Sequence, residues 1–133
     1  MRLSTVSAFA AALFLACAAL AAAPGLSGKW RIVRIAGAEG FDTARTRAEF
    51  AANGRFASTV GCNRIAGKPE VSGDRIAFGQ MMAPRMACPG ALGETERAYL
   101  EALRDVRAWR IEGGTLTFLG EDGAALVALE RAE

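Results

Sequence analysis

The sequence predicts a mostly β fold, a small antiparallel barrel or strongly curved sheet of about eight strands with one α-helix. Three observations support this prediction. Short segments rich in β-branched and aromatic residues recur at near-even spacing, glycine-containing turns separate them, and only one segment has a clear helical period. Short strands with turn signals between them are typical of sandwiches and barrels. We expect these strands to form one domain.

The strands can be placed from their composition and from the turns that bound them. The first is predicted over residues 28–36, with Trp30 and Ile32 on one face. Residues 48–51 and 55–60 are predicted to form a hairpin through Asn53-Gly54, because both turn residues accept a positive φ. The remaining predicted strands cover residues 67–71, 75–78, 107–112, 115–119 and 124–130.

The helix is predicted from Glu94 to about Asp105. Tyr99, Leu103 and Val106 recur at i, i+4 and i+7, which places them on one apolar face. Residues 79–93 contain prolines, glycines and methionines and are predicted to form the longest loop. A single helix of this length can cover an open end or face of the sheet.

Residues 1–23 have the layout of a secretory signal peptide. Arg2 precedes an apolar run that extends from Val6 to Leu15, and alanines follow up to Ala23. The apolar run is short for a membrane span, which needs about 20 residues. We therefore predict a signal peptide over 1–23 and a mature domain over 24–133, with an uncleaved anchor as the alternative.

Cys17 leaves two routes after export open. Phe14-Leu15-Ala16-Cys17 is similar to a bacterial lipobox, in which Cys17 would become the lipidated N-terminus, although Phe14 stands where leucine is usual. Alternatively, Cys17 is an apolar residue of the leader and is discarded with it. The chain is accordingly predicted to be a periplasmic protein or an outer-membrane lipoprotein, with a membrane contact only through an N-terminal lipid.

Cys62 and Cys88 are the two cysteines that remain once the leader is removed. An exported chain enters an oxidising compartment, so the pair is predicted to form a disulfide. Two buried free thiols in a reducing compartment are the alternative. A disulfide here would fix the long loop to the strand region but would not define a reaction.

Composition excludes several function classes. The chain has 16 basic and 14 acidic residues and no histidine. The nearly balanced charge argues against nucleic-acid binding driven by phosphate neutralisation. The missing histidine excludes Ser-His-Asp and Cys-His catalysis and histidine metal sites. We therefore predict no catalytic residues, no metal, no cofactor and no enzymatic activity.

Several motifs resemble the META domain family, which is known from the heat-shock lipoprotein HslJ. The motifs are Leu26-Ser-Gly-Lys-Trp30, Asn53-Gly-Arg55, Gly61-Cys-Asn-Arg64 and Arg85-Met-Ala-Cys88-Pro89. The resemblance extends from Leu26 to about Leu129 and implies a lipocalin-like barrel with one helix. It also implies an envelope location and an association with heat shock and novobiocin resistance, without a known enzymatic activity.

Asn63, Arg64 and Arg85 are candidate surface recognition residues. An arginine next to the cysteine loops could bind a carboxylate or phosphate. The alternatives are that Asn63 adopts a left-handed backbone and hydrogen-bonds its turn, and that the arginines form local ion pairs or carbonyl caps.

The resulting hypothesis is a non-catalytic exported envelope protein linked to stress response or antibiotic tolerance. It would act by binding a protein or another envelope component that the sequence does not identify. Two alternatives are a carrier of a small apolar ligand in the barrel mouth and an inhibitor of an envelope hydrolase that uses the 79–93 loop.

Overall fold

A computed structural model describes residues 25–83 and 87–132, together with Ala12. The predicted leader, Cys17 and Arg85 lie outside the described residues apart from Ala12, and their roles stay predictions. The described residues form nine strands, one α-helix and a 3₁₀ helix over Thr43–Arg45. The elements are β1 Gly28–Ile35, β2 Arg47–Phe50, β3 Phe56–Thr59, β4 Arg64–Gly67, β5 Glu70–Ser72, β6 Arg75–Ala77, α1 Gly90–Asp105, β7 Val106–Glu112, β8 Thr115–Gly120 and β9 Ala125–Arg131.

The nine strands form one antiparallel sheet in the order β4-β3-β2-β1-β9-β8-β7-β6-β5. Its two outermost strands, β4 and β5, are joined by Lys68 and Pro69 alone. Three Cα–Cα steps of about 3.8 Å keep the ends of these strands within about 11 Å of each other. The sheet therefore curls into a half-barrel, and the predicted fold class is confirmed.

The chain after β6 returns to the edge of β4. The amide of Met82 donates to the carbonyl of Ala66 at 2.7 Å, and the amide of Ala66 donates to the carbonyl of Met82 at 2.9 Å. An unpaired edge is a template for association with other chains. These two bonds cover part of that edge with the chain's own backbone.

Aromatic side chains fill the interior of the half-barrel. Phe50, Phe56, Phe78 and Phe118 are buried, and their ring centroids lie 4.7 to 6.3 Å apart in successive tilted or edge-on contacts. Such contacts stabilise a core beyond the area that they bury. Trp30 is also fully buried, and its indole N–H donates to the carbonyl of Leu26 at 2.9 Å. Aromatic rings thus occupy the space that a lipocalin-like carrier would leave for a ligand.

One predicted strand is two strands in the structure. The sequence predicts one strand over 67–71, whereas β4 already begins at Arg64 and β5 follows after Pro69. Proline has no amide hydrogen and interrupts a ladder of hydrogen bonds. The segment therefore splits, with β4 pairing with β3 and β5 with β6, which raises the number of strands to nine.

The predicted start of the helix is also wrong, since α1 begins at Gly90 rather than Glu94. Gly90 and Gly93 lower the intrinsic helix propensity of the first turn. α1 nevertheless begins two residues after Cys88, which is cross-linked to Cys62, and tertiary context commonly outweighs propensity. No helix among the described residues combines the length and apolarity that a membrane crossing needs.

The turn between β2 and β3 differs from the predicted one in its backbone. Gly54 has a φ of 87°, but no described residue other than glycine, and therefore not Asn53, has a positive φ. The amide of Gly54 donates to the carbonyl of Ala51 at 2.9 Å, and Asn53 Oδ1 accepts from the amide of Arg55 at 3.1 Å. This is a longer turn with a left-handed glycine at its end.

Candidate functional site: a helix latch and an outer arginine row

Strands β3 and β4 separate two clusters of polar residues. Side chains alternate between the two faces of a strand. Ser58 and Asn63 are buried on the inner side, whereas their neighbours Thr59 and Arg64 point outward. Residues that are consecutive in the sequence, such as Ser58 and Thr59, therefore belong to different clusters, one on the inner face and one on the outer face.

The inner site begins with the disulfide that the sequence predicts. Cys62 and Cys88 are bonded, with their Cα atoms 5.6 Å apart. Next to them, a Cβ atom added to Gly61 would lie 2.8 Å from the carbonyl oxygen of Leu92. Only glycine allows the turn before β4 to approach the first turns of α1 this closely.

A buried hydrogen-bonded pair continues the contact. The backbone amide of Asn63 donates to Glu96 Oε1 at 2.9 Å, and its side-chain Nδ2 donates to Glu96 Oε2 at 2.8 Å. Both residues are buried, with relative exposures of 4% and 8%. The prediction of Asn63 as a surface recognition residue is therefore wrong, because both oxygens of Glu96 bind it in the interior.

Tyr99 makes the third contact between α1 and the sheet. Its hydroxyl donates to Ser58 Oγ at 2.8 Å, and its ring is fully buried. Burial raises the pKa of the Tyr99 phenol well above its ordinary value, and the hydrogen bond with Ser58 offsets only part of this rise. We call the disulfide, the Asn63–Glu96 pair and the Ser58–Tyr99 pair the helix latch.

The outer site is a row of four residues on four strands, and three of them are arginines. Thr59 on β3 is in register with Arg47 on β2 and with Arg64 on β4. The pairing of β1 with β2 ends at Trp30 and Ala48, and the residues next to them, Arg31 and Arg47, are both exposed. We call Arg31, Arg47, Thr59 and Arg64 the arginine row.

The arginine row lines an open groove of about 550 Å³. Small ligands are typically bound in clefts of about 300–1,000 Å³. Thr59 lies between Arg47 and Arg64, and Ala57, another short side chain, lies beside Glu49. The other lining residues are Lys29, Trp30, Ala44, Thr46, Ala48, Glu49, Ser58 and Ala132.

Two arginines of the row are held in place by the protein itself. Arg31 Nη2 lies 3.0 Å from Glu130 Oε2 in an exposed ion pair. Arg47 Nη1 donates to the carbonyl oxygens of Ala44 and Thr46, both at 2.8 Å. The Thr46 hydroxyl is buried and donates to the carbonyl of Ile32 at 3.0 Å. This bond holds the segment 44–46, which carries the two carbonyl oxygens. These bonds fix the position of the Arg47 side chain.

The structure separates the predicted recognition residues. Arg64 is exposed in the groove, Asn63 belongs to the helix latch, and Arg85 lies outside the described residues. Sequence reasoning missed Arg31 and Arg47, although both point outward on strands whose other face is apolar. Across 25–83 and 87–132, no group of three acidic, cysteine or histidine residues is arranged to hold a metal ion.

Comparisons with solved structures agree with the fold. An NMR structure of a protein from Burkholderia xenovorans matches with a TM-score of 0.63 and 20% identity, over 80% of this chain and 83% of that one. A crystal structure of a DUF4847 family protein from Bacteroides vulgatus matches with a TM-score of 0.58 and 15% identity, over 80% and 94%. No curated protein matches this chain.

The family follows from the sequence motifs and from a match to a family profile. The META domain profile matches residues 23–133, which is most of the chain. The paired cysteine segments, the disulfide and the curled antiparallel sheet with one helix agree with that match. META domains are not a known enzyme family. The chain belongs to the META domain family.

Proposed function

We propose that this protein is an exported, non-catalytic binding protein of the cell envelope that binds an anionic envelope component in its outer groove. This task would link it to stress response or antibiotic tolerance. The observation that carries the proposal is the arginine row, where three arginines line one groove and only Arg31 has an acidic partner among the described residues.

The charge of the row supports binding rather than folding as its role. Arg31, Arg47 and Arg64 line one groove, and like charges close together on one face of a sheet repel each other. A sheet selected for stability alone would place an acidic residue at one of these positions. An anionic ligand would offset the repulsion.

The filled interior argues against the alternative of an apolar-ligand carrier. Phe56, Phe78 and Phe118 occupy the centre of the half-barrel in direct ring contact. A ligand could enter only by displacing these rings, at a cost of several kcal/mol in lost packing. The polar outer groove therefore suits a ligand better than the barrel mouth does.

Export is supported by the leader of residues 1–23 and by the disulfide, since such bonds persist mainly in oxidising compartments. Intact mass of the protein from native envelopes tests this step. A start near Ala22, or at a lipidated Cys17, is expected, and alkylation should add mass only after reduction. A full-length chain with all three cysteines alkylated before reduction would contradict export.

Complementation tests the envelope role. A deletion strain should become sensitive to heat, detergent or novobiocin, and the wild-type gene should restore growth. A double variant, Arg47→Ala with Arg64→Ala, should fail to restore growth at equal protein level. Arg97→Ala with Arg104→Ala removes the same charge from the exposed face of α1 and should restore growth fully. Equal growth with both variants would contradict a role for the groove.

Inhibition of an envelope hydrolase is a second candidate. Met82 and Leu92 lie on the segment around the disulfide and are unusually exposed for apolar residues, at 77% and 49%. Exposed apolar side chains on a fixed segment can enter a partner's pocket. Slowed hydrolysis by an envelope lysozyme or protease, lost on Met82→Ser, would favour this candidate, and unchanged hydrolysis across a panel of them would count against it.

A further inference from the structure

We propose that the arginine row binds a phosphate group of its ligand, seated over Thr59 between Arg47 and Arg64. This inference rests on the proposed function and names the chemical class that the groove recognises. It concerns the ligand's anionic group and not the whole molecule.

The register of the sheet creates the seat. Neighbouring strands are about 4.8 Å apart, so the Cα atoms of Arg47 and Arg64 lie about 10 Å apart with Thr59 midway. Arginine side chains extend well beyond the short side chain of threonine. Two guanidinium groups can therefore reach an anion above Thr59 from opposite sides while the hydroxyl meets it from below.

The hydrogen-bond donors around Thr59 are more numerous than the hydrogen bonds that a carboxylate can accept. A guanidinium carries five N–H donors, and the two bonds of Arg47 to backbone carbonyls occupy only its Nη1 group. Three of its donors remain, Arg64 adds its own, and Thr59 adds a hydroxyl. A phosphate monoester offers three acceptor oxygens, whereas a carboxylate offers two.

Charge complementarity also favours phosphate. In the described part of the chain, Arg31 pairs with Glu130, while Arg47 and Arg64 form no ion pair. Lys29 lies in register with Glu49 in the adjacent row, where the two opposite charges offset each other. The seat over Thr59 therefore faces two positive charges, which a phosphate of about −1.5 to −2 matches.

Titration of the full mature chain with inorganic pyrophosphate, followed by amide chemical shifts in a phosphate-free buffer, tests the proposal. Shifts are expected along β2, β3 and β4, with affinity falling as salt rises. Arg64→Ala should weaken binding at least about tenfold. The matched control Arg97→Ala should change it less than about twofold, as expected for a distant screened charge.

A second variant distinguishes the loss of positive charge from the loss of the guanidinium hydrogen bonds. Arg64→Lys keeps the charge but loses the planar fork of donors. It should bind pyrophosphate more weakly than wild type and more strongly than Arg64→Ala. Equal losses for Arg64→Ala and Arg97→Ala, or no shifts on β2 to β4 at any pyrophosphate concentration, would overturn the proposal.

Two further probes identify the source of the phosphate and separate this inference from the proposed function. Vesicles of phosphatidylglycerol that bind more tightly than pyrophosphate, through the same residues, would assign a lipid headgroup; otherwise the ligand is a soluble phosphate ester. Citrate that shifts the same amides while pyrophosphate does not would overturn the phosphate assignment and leave anion binding intact. Full complementation by the Arg47 and Arg64 double variant would instead overturn the proposed function alone.

Discussion

The helix latch and the arginine row use neighbouring residues of the same strands in opposite ways. In the latch, Glu96 lies in the interior with both carboxylate oxygens bonded to Asn63. In the row, Arg64, the next residue along the chain from Asn63, is exposed in the groove and forms no ion pair with a described residue. The latch residues bond one another within the protein, whereas Arg47 and Arg64 of the row form no ion pair with a described residue.

This difference indicates which region stabilises the fold and which is available for function. Hydrogen bonds between buried polar groups stabilise a fold, and the Asn63–Glu96 and Ser58–Tyr99 pairs are bonds of this kind. Exposed charges contribute little to stability. Variants of the latch should therefore change stability and leave anion binding intact, and variants of the row should do the reverse.

The largest expected effect is the loss of the disulfide. Closure of a loop of about 27 residues between Cys62 and Cys88 should stabilise the fold by roughly 3–4 kcal/mol in the chain-entropy account. The double variant Cys62→Ser with Cys88→Ser should lose this amount in urea unfolding. A loss below about 1 kcal/mol would show that α1 is held by the other contacts of the latch.

Removal of the Glu96 carboxylate should have the next largest effect. Glu96→Ala leaves the amide and Nδ2 donors of Asn63 without their two carboxylate acceptors, and hydrogen bonds to charged groups contribute about 1.5–3 kcal/mol. We expect a loss of about 2–3 kcal/mol in the free energy of unfolding. Glu94→Ala, an exposed carboxylate on the same turn of α1, is the control and should cost less than about 0.5 kcal/mol.

Loss of the Glu96 contact should leave the groove functional while the variant is folded. Pyrophosphate titration of Glu96→Ala, at a temperature below its unfolding transition, should give an affinity within about threefold of wild type. A much weaker affinity would mean that the latch positions β4 for binding, and that the two regions are coupled.

Alkaline pH should weaken the latch through Tyr99. Because burial raises the folded-state pKa above the ordinary 10.0, the stability from the neutral phenol is complete below pH 10.0 and is lost as the pH rises further. The free energy of unfolding should fall by up to about 1.4 kcal/mol per pH unit above that value. Tyr99 is the only tyrosine, so Tyr99→Phe should remove this component of the slope and retain the rest. Identical slopes would contradict the burial of an unionised phenol.

Much of the fold could be predicted from the sequence because its signals are local. Alternating apolar residues predict β1, and the glycine pair after Glu112 predicts the hairpin between β7 and β8, where Gly113 and Gly114 have φ angles of 55° and 81°. The start of α1 depends on tertiary packing, and the division at Pro69 depends on the pairing of each half with a different neighbouring strand, so local propensity alone predicts neither.

The sites were harder to predict for a related reason. Glu96 looks like an ordinary acidic residue near a helix start until tertiary structure brings Asn63 to it across 33 residues. The arginine row depends on the register of four strands, which no single segment encodes. Arg64 can be predicted as a candidate because it adjoins the cysteine motif, whereas that adjacency does not indicate that Asn63 is buried.

The smallest expected effect on stability comes from Arg64 itself. Arg64 is exposed and forms no ion pair with a described residue, so Arg64→Ala should change the free energy of unfolding by less than about 0.5 kcal/mol. Arg131 is the opposing control, because its guanidinium stacks 3.9 Å from the centre of the Trp30 ring and donates to the carbonyl of Ser27 at 2.7 Å. Arg131→Ala should cost about 1–2 kcal/mol.

These two arginines carry the same charge but differ in what each contacts. If Arg64→Ala is as destabilising as Arg131→Ala in urea unfolding, the row stabilises the fold and the contrast with the latch is wrong. If Arg64→Ala leaves the unfolding transition unchanged and removes pyrophosphate binding, the Arg64 side chain contributes to ligand affinity and not to the stability of the fold. The first result would show that Arg64 has no structural role, and the second would show that it binds a ligand. Together they would assign the row to function.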